Sequence, residues 1–369
     1  MDLQELVSMS NRYGGNPDYV LAGGGNTSVK DDTTLYVKCS GTCLADITAD
    51  GFVAMDKKAL AALMVKEYPA GDKEREAAFL ADVMETRVKT EENLAKRPSV
   101  EALLHSLFPQ KYVLHVHPTL INGLTCGQDG EKLCATLFGS EVIWMPLCRP
   151  GYTLGKLCYE AMEKYEKEQG KKAQILIAQN HGIFMGADTV EEIDRLFAMV
   201  ENKLKAVVKV WPDLAPMKKE DADKAWETAA ELSAALGVPA VPVDVREALS
   251  FSASEEAFAP LAKPFTPDHI VYCGPFPLYV SCPCSAAEKF AQFEQEKGFA
   301  PKIIVVEGVG VFAAEKSKTA RDKAKLLVTD AMKLAVYTKS FGGELPMTEE
   351  LTDFILHWEA ESYRKKQSA

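Results

Sequence analysis

Residues 165–186 read YEKEQGKKAQILIAQNHGIFMG, and residues 293–314 read FEQEKGFAPKIIVVEGVGVFAA. Laid over each other without gaps, 128 positions apart, Glu166, Glu168, Gly170, Ile175, Gly182 and Phe184 meet Glu294, Glu296, Gly298, Ile303, Gly310 and Phe312. Further on, Asp194 meets Asp322. Each stretch has a charged helical segment, a glycine stop, an apolar run short enough for a buried strand, a turn and a second run. A constant offset over such a unit predicts an internal duplication; the alternative is a helix–strand–helix pattern shared by chance. The copies differ at one informative place: His181 in the first is Val309 in the second.

Outward from this repeat, the first half alternates strand-like and helix-like segments. Residues 35–38 and 112–116 read as strands, with Pro118 ending the second, and 175–178 as a buried, central strand. Residues 57–65 and 74–88 carry helical spacing. Ser99 reads as the cap of a helix bearing Glu101, Leu104, Leu107 and Phe108, and Thr189 as the cap of another with early acids. From 203 to 245 alanine, charge and proline dominate, predicting a helical connector. A second set follows: a β-rich run at 270–272, a helix at 286–297, a strand at 303–306 and a helix at 319–337. This predicts an α/β chain with a catalytic domain at 1–205, a connector at 206–245 and a degenerate C-terminal domain at 246–369.

Composition narrows the class. The chain has 369 residues, 47% hydrophobic and 26% charged, with a net charge of −11. That charge disfavours a broad grip on nucleic acid or an anionic membrane, while a local pocket could still bind an anion through backbone N–H groups. No run approaches the roughly 18 apolar residues of a membrane span, and residues 1–12 do not read as a signal peptide. The nine cysteines are odd in number and scattered, with Cys39, Cys126, Cys148 and Cys273 in apolar surroundings. Cys282 and Cys284 form a C-x-C without a partner pair at zinc-ribbon spacing. These features predict a reduced, cytoplasmic protein.

Only six histidines are present, and three fall in two short motifs: His115 and His117 in LHVHP, and His181 in QNHGIF. Positions i and i+2 of a strand share a face, so the first two can converge. A third imidazole would complete a three-nitrogen site with an open position, the catalytic type of zinc site. Two core histidines and an unrelated loop histidine would give the same spacing. Glu101, in RPSVEALLH, could serve a metal site as ligand or general base, or could simply complement a helix dipole. His105, four residues on, reads as a packed or supporting histidine. The segment AGGGNTSVK, with Gly23, Gly24, Gly25, Asn26, Thr27 and Ser28, and the short KCSGT, with Ser40 and Gly41, suit a phosphate or polyol. Either could equally be a tight turn. No G-x-G-x-x-G fingerprint is present.

Taken in order, GGGNTS, CSGT, RPSVE, HVHP and QNHG resemble the class II aldolase/adducin family over about residues 23–205. The likeness is strongest to the aldolase half of bacterial rhamnulose-phosphate aldolase–dehydrogenase fusions, and FTPDHIVY and GVGVFAAEKSKTARDKA extend it toward the C-terminus. The resemblance implies a three-layer α/β/α fold around a mixed, mainly antiparallel sheet, followed by the degenerate half. It implies Zn2+ or another divalent metal on His115, His117 and His181, Glu101 as general acid/base, and Gly25, Asn26, Ser28, Ser40, Gly41 and Ser99 around a substrate phosphate. Val100 departs from the second serine of some sugar-phosphate aldolases, which puts the phosphate in doubt. Tyr152 is an available second proton donor, or a structural tyrosine.

The implied activity is that of a lyase: reversible aldol cleavage of a ketose phosphate or related hydroxyketone through a metal-stabilised enediolate. Pentulose-phosphate 4-epimerase, sugar-phosphate dehydratase and non-catalytic adducin-like binding are the alternatives. The implied partners are a small sugar-phosphate-like substrate and copies of the chain in a dimer or tetramer, with neither nucleic acid nor membrane.

Overall fold

The computed structural model describes residues 1–358; of the expected C-terminal domain at 246–369, residues 359–369 lie outside them. The chain divides into two compact units. Among the described residues, the first spans Met1–Thr125 and Gly130–Ala206; the second takes Cys126–Asp129 and residues 207–358. In the first, helix α1 (Gln4–Gly14) precedes β1 (Asn26–Lys30), β2 (Thr34–Lys38) and β3 (Phe52–Asp56). Helices α2 (Lys57–Ala62), α3 (Asp72–Glu85), α4 (Glu91–Leu94) and α5 (Ala102–Leu107) lead to β4 (Tyr112–Val116). Then come α6 (Thr119–Thr125), α7 (Gly130–Phe138), β5 (Ile143–Met145), α8 (Tyr152–Gln169), β6 (Ile175–Ala178), β7 (Gly182–Ala187) and α9 (Val190–Lys205).

The seven strands run β3-β2-β1-β4-β7-β6-β5. All neighbours are antiparallel except β5 and β6. Every residue of β1, β4, β6 and β7 is buried, which explains their lack of polar alternation. β6 is buried as its apolar run predicts, but lies beside the edge strand rather than at the centre. Two apolar clusters hold the strands and helices together, one around Val37, Val53, Leu60 and Phe79, the other around Leu104, Val113, Leu176 and Phe184.

In the second unit, α10 (Lys219–Leu236) and β8 (Ala240–Pro242) precede α11 (Arg246–Phe251) and α12 (Glu255–Phe258). β9 (Leu278–Val280), α13 (Ala286–Lys297), β10 (Ile303–Val306), β11 (Gly310–Ala314), α14 (Lys318–Thr338) and α15 (Glu349–His357) complete it. The stretch expected as a connector, 206–245, contributes α10 and β8, and β8 pairs with β11 as part of this unit's four-stranded sheet, β8-β11-β10-β9. The run 270–272 is not a strand. It lies in a buried π-helical turn, His269–Cys273, ended by Gly274 at φ +78°, and β9 pairs with β10 instead. A short apolar run buried on all sides satisfies either geometry.

The stretches 165–186 and 293–314 share a backbone arrangement. β6 and β10, and the starts of α9 and α14, are 128 positions apart. Ile175 pairs with Met185 as Ile303 pairs with Ala313, so the hairpin registers coincide. Asn180 and Gly308 occupy the same turn position with φ +53° and +66°.

Cysteine usage needs one correction: Cys282 and Cys284 are joined by a disulfide, not both reduced. The residues flank Pro283 in a turn that brings their Cα atoms to 5.3 Å, within disulfide range. The other seven cysteines are free thiols. Among the described residues, no helix is long and apolar enough to cross a membrane.

Candidate metal centre

Strand β4 is the inner strand that carries His115 near its end, with His117 just beyond. The turn between β6 and β7 supplies His181. Asn180 makes that turn possible, because its short polar side chain tolerates positive φ better than a branched one would. Asn122 on α6 donates to the His181 carbonyl at 3.2 Å and fixes the turn from below. A Cβ on Gly182 would lie 2.5 Å from the Val116 carbonyl oxygen and 2.8 Å from His117 Cδ2, so only glycine lets the turn approach the two histidines this closely.

The three imidazoles converge. Their ring centroids lie 4.7, 4.9 and 5.1 Å apart, and one nitrogen from each falls within 4.8 Å of the others. His115 Nδ1 donates to the Ile183 carbonyl at 3.0 Å. That leaves the Nε2 lone pair facing His117 Nε2, 3.0 Å away, the tautomer a metal ligand needs. Phe184 stacks on the His115 ring at 3.8 Å and holds its plane. Three imidazole nitrogens around one point, with His117 and His181 still partly exposed, fit a divalent metal such as zinc with an open fourth position.

Glu101 completes the cluster. The helix begins two residues later than a Ser99 cap implies: Glu101 occupies the N-cap position, and Ser99 Oγ accepts from its backbone N–H at 3.3 Å. Glu101 Oε1 lies 3.2 Å from His181 Nε2, and Oε2 lies 3.3 Å from His115 Nε2. Burial disfavours its charge, but the attraction of His115 and hydrogen bonds from His181 and Asn26 outweigh it, holding the carboxyl well below the usual carboxylate range. His115 is held well below the usual histidine range by its own burial, against the pull of Glu101.

The remaining sequence candidates fall in two groups. Gly25 has φ +64°, and a Cβ there would lie 2.8 Å from the His115 carbonyl oxygen, so it serves the approach of the loop to β4. Ser40 and Gly41 are half-buried on the neighbouring turn. By contrast Asn26, Ser28 and Ser99 are buried at 4%, 0% and 7% exposure and bonded to protein groups. Tyr152 packs against Tyr68 and Phe79. Sequence reasoning missed two lysines. Lys30 and Lys38 are 5% and 3% exposed, and Lys38 Nζ lies 3.4 Å from the Gly23 carbonyl oxygen. Their place on all-buried or inward-facing strand positions is the only signal that could have found them.

The second unit offers no such cluster at the matching positions. His115 pairs with Phe184, and Pro242 pairs with Phe312. Register therefore puts Pro242 where His115 stands, Asp244 where His117 stands, and Val309 where His181 stands. Asp244 is bound to Lys325 at 2.7 Å, and beside Gly310 the space is met by the Met217 methyl.

Residues 4–208 match the family model described as the Class II Aldolase and Adducin N-terminal domain. A relative from Bacillus subtilis (strain 168), named Uncharacterized oxidoreductase YuxG, is 29% identical over 198 residues, 51% of this chain and 27% of that protein. The chain thus spans about a quarter of the length of the curated relative it matches. A solved N-terminal class II aldolase domain of a conserved protein from Thermoplasma acidophilum is 28% identical, covering 56% of this chain and 93% of that one, with a TM-score of 0.47. A solved L-fuculose 1-phosphate aldolase is 18% identical, covering 56% and 86%, with a TM-score of 0.36.

Proposed function

Because the chain belongs to the class II aldolase and adducin family, we propose that its first unit is a metal-dependent lyase. It reversibly cleaves a carbon–carbon bond in a ketose phosphate or a related hydroxyketone. The observation that carries this reading is three imidazoles converging on one point with the Glu101 carboxyl group against them.

His115, His117 and His181 would hold the cation, which supplies a Lewis acid for a carbonyl oxygen and a counter-charge for the electron pair released on cleavage. Glu101 moves the proton. In the synthetic direction its carboxylate removes a proton from the carbon beside the carbonyl; in the cleavage direction the protonated acid returns it. Phe184 stacks on His115 and keeps it from turning away. The loop at 23–25 with Ser40 and Gly41 would bind the phosphate or terminal hydroxyls through backbone N–H groups and hydroxyls. Lys38 beside Gly23 brings the positive charge these groups lack. We further read the chain as a homo-oligomer, which light scattering tests.

The test is a panel of ketose phosphates and free ketoses incubated with the zinc-loaded protein. Release of dihydroxyacetone phosphate or a glycolaldehyde-type fragment is expected, with deuterium from the solvent at the carbon that Glu101 protonates. Full activity of metal-stripped protein, or no cleavage across the panel by protein carrying stoichiometric zinc, would overturn the reading.

A further inference from the structure

Behind Glu101 runs a buried hydrogen-bonded chain that the reaction above does not use. Asn26, Ser28 and Lys30 alternate along β1 and so share one face, and that face meets α5. His105 on α5, 0% exposed, sits between the first two. Its Nδ1 is 2.7 Å from Ser28 Oγ, and its Nε2 is bonded to Asn26 Oδ1. The Asn26 amide nitrogen continues the chain to Glu101 Oε2 at 2.6 Å and to Ser99 Oγ at 3.1 Å. At the far end, Lys30 Nζ donates to the His105 carbonyl at 2.6 Å and to that of Phe108, tying the end of α5 to the same strand.

Chemistry fixes the direction of every link. The Asn26 NH2 group donates to both Glu101 Oε2 and Ser99 Oγ, which leaves its carbonyl oxygen, an acceptor only, facing His105. His105 Nε2 must then carry the proton. Burial pushes the His105 ring down to about 3, so at neutral pH it is uncharged. Its Nδ1 therefore accepts, and the Ser28 hydroxyl donates. Reversing the Asn26 amide would set oxygen against carboxylate and N–H against N–H. The pattern has one consistent arrangement, and His105 selects it.

We propose that His105 is a positioning residue: it holds the Asn26 amide in the one orientation that aims Glu101 at the three histidines, with Ser28 serving this chain rather than a substrate. Its effect on turnover rests on the reading of Glu101 as the proton-transfer group. Its coupling to Glu101 does not, because it is a property of the metal-free protein.

The experiment is a thermal-unfolding cycle on metal-free protein with His105→Leu, Glu101→Gln and the double variant. If His105 acts on Glu101 through Asn26, the two midpoint shifts fail to add, because residues in one network couple. A histidine that only fills space gives additive shifts, and that result overturns the proposal. Ser28→Ala should lower the midpoint in the native background and leave it unmoved when His105 is leucine. Should His105→Leu not fold, Ser28→Ala and Glu101→Gln carry the same cycle, because Ser28 binds the other side of the His105 ring. In zinc-loaded protein, His105→Leu should lower kcat about 10–100-fold, the usual cost of losing a group behind a site, with KM within about twofold. His105→Gln, which restores an N–H donor and an acceptor, should recover most of it. Unchanged kcat in His105→Leu overturns the proposal. Non-additive shifts in a protein that cleaves no substrate would leave the positioning role standing and sink the lyase reading.

Discussion

The hairpins β6–β7 and β10–β11 share a register, a helix before and a helix after, and a turn residue at positive φ, yet one turn presents His181 and the other Val309. The same divergence holds on the neighbouring strands, where His115 and His117 have Pro242 and Asp244 as counterparts. The backbone of the repeat survives without the metal chemistry because apolar strands buried on both faces define it. The chemistry depends on three side chains at its rim. In the second copy those positions are taken by an apolar residue, a proline and an acid committed to Lys325. The same hairpin and flanking helices can therefore stand with or without the three imidazoles at their rim.

Making the first hairpin like the second should have the largest effect. His181→Val is expected to take zinc from one per chain to almost none after dialysis, and to cut turnover by more than the roughly 100-fold typical of residues behind a ligand. Retained stoichiometric zinc by metal analysis would break the comparison. Next, Glu101→Gln should keep its zinc but lose about 10²–10⁴-fold in kcat, the usual span for a general acid or base; near-native turnover removes Glu101 from that role.

The paired phenylalanines separate folding from binding. Phe184 and Phe312 are both fully buried, so each change to alanine should cost about 3–5 kcal/mol in denaturant unfolding. Only Phe184→Ala should also weaken zinc, since only Phe184 stacks on a ligand ring. Equal zinc affinity in the two variants would sever the link between core and site.

Acid should destabilise the first unit through His105. The folded-state value of His105 lies at about 3 against 6.5 unperturbed, so the unfolded chain binds the proton first. The stability this neutral histidine provides is complete above about 6.5 and is lost as pH falls toward 3. Unfolding of metal-free protein followed from pH 7 to 4 should show this loss, and His105→Gln should remove the His105 share of it, leaving that of His115 and Glu101. The smallest effect concerns the second turn: Val309→His should leave zinc at one per chain, because a single imidazole beside Pro242 and Asp244 lacks the other nitrogens. Two zinc ions per chain would show a site that register alone does not reveal.

The sequence reached far in some places. Tyr112–Val116, Ile175–Ala178 and Ile303–Val306 are strands where their apolar runs place them, and the Thr189 side chain caps α9 by accepting from Glu192 at 3.2 Å. It failed where periodicity carries no information. The run 270–272 is as apolar as a strand but coils, and the last residues of the stretch 206–245 pair into a sheet. Of the histidine trio, His115 and His117 were legible because H-x-H on a strand shares a face; His181 came in only through the family resemblance. Ser28 was not legible: as a hydroxyl beside glycines it reads as a phosphate contact, whereas its oxygen is spent on His105.

By itself, then, the sequence determined the alternation of buried strands and capped helices, the repeat at a constant offset, and that His115 and His117 share a face, because each is a matter of spacing along one chain. Only the tertiary structure decided what each polar side chain faces. Asn26 and His105 are 79 residues apart, and Glu101 lies 75 from Asn26. Hydrogen bonds at such separations depend on how a helix is laid against a strand, and spacing along the chain does not encode that.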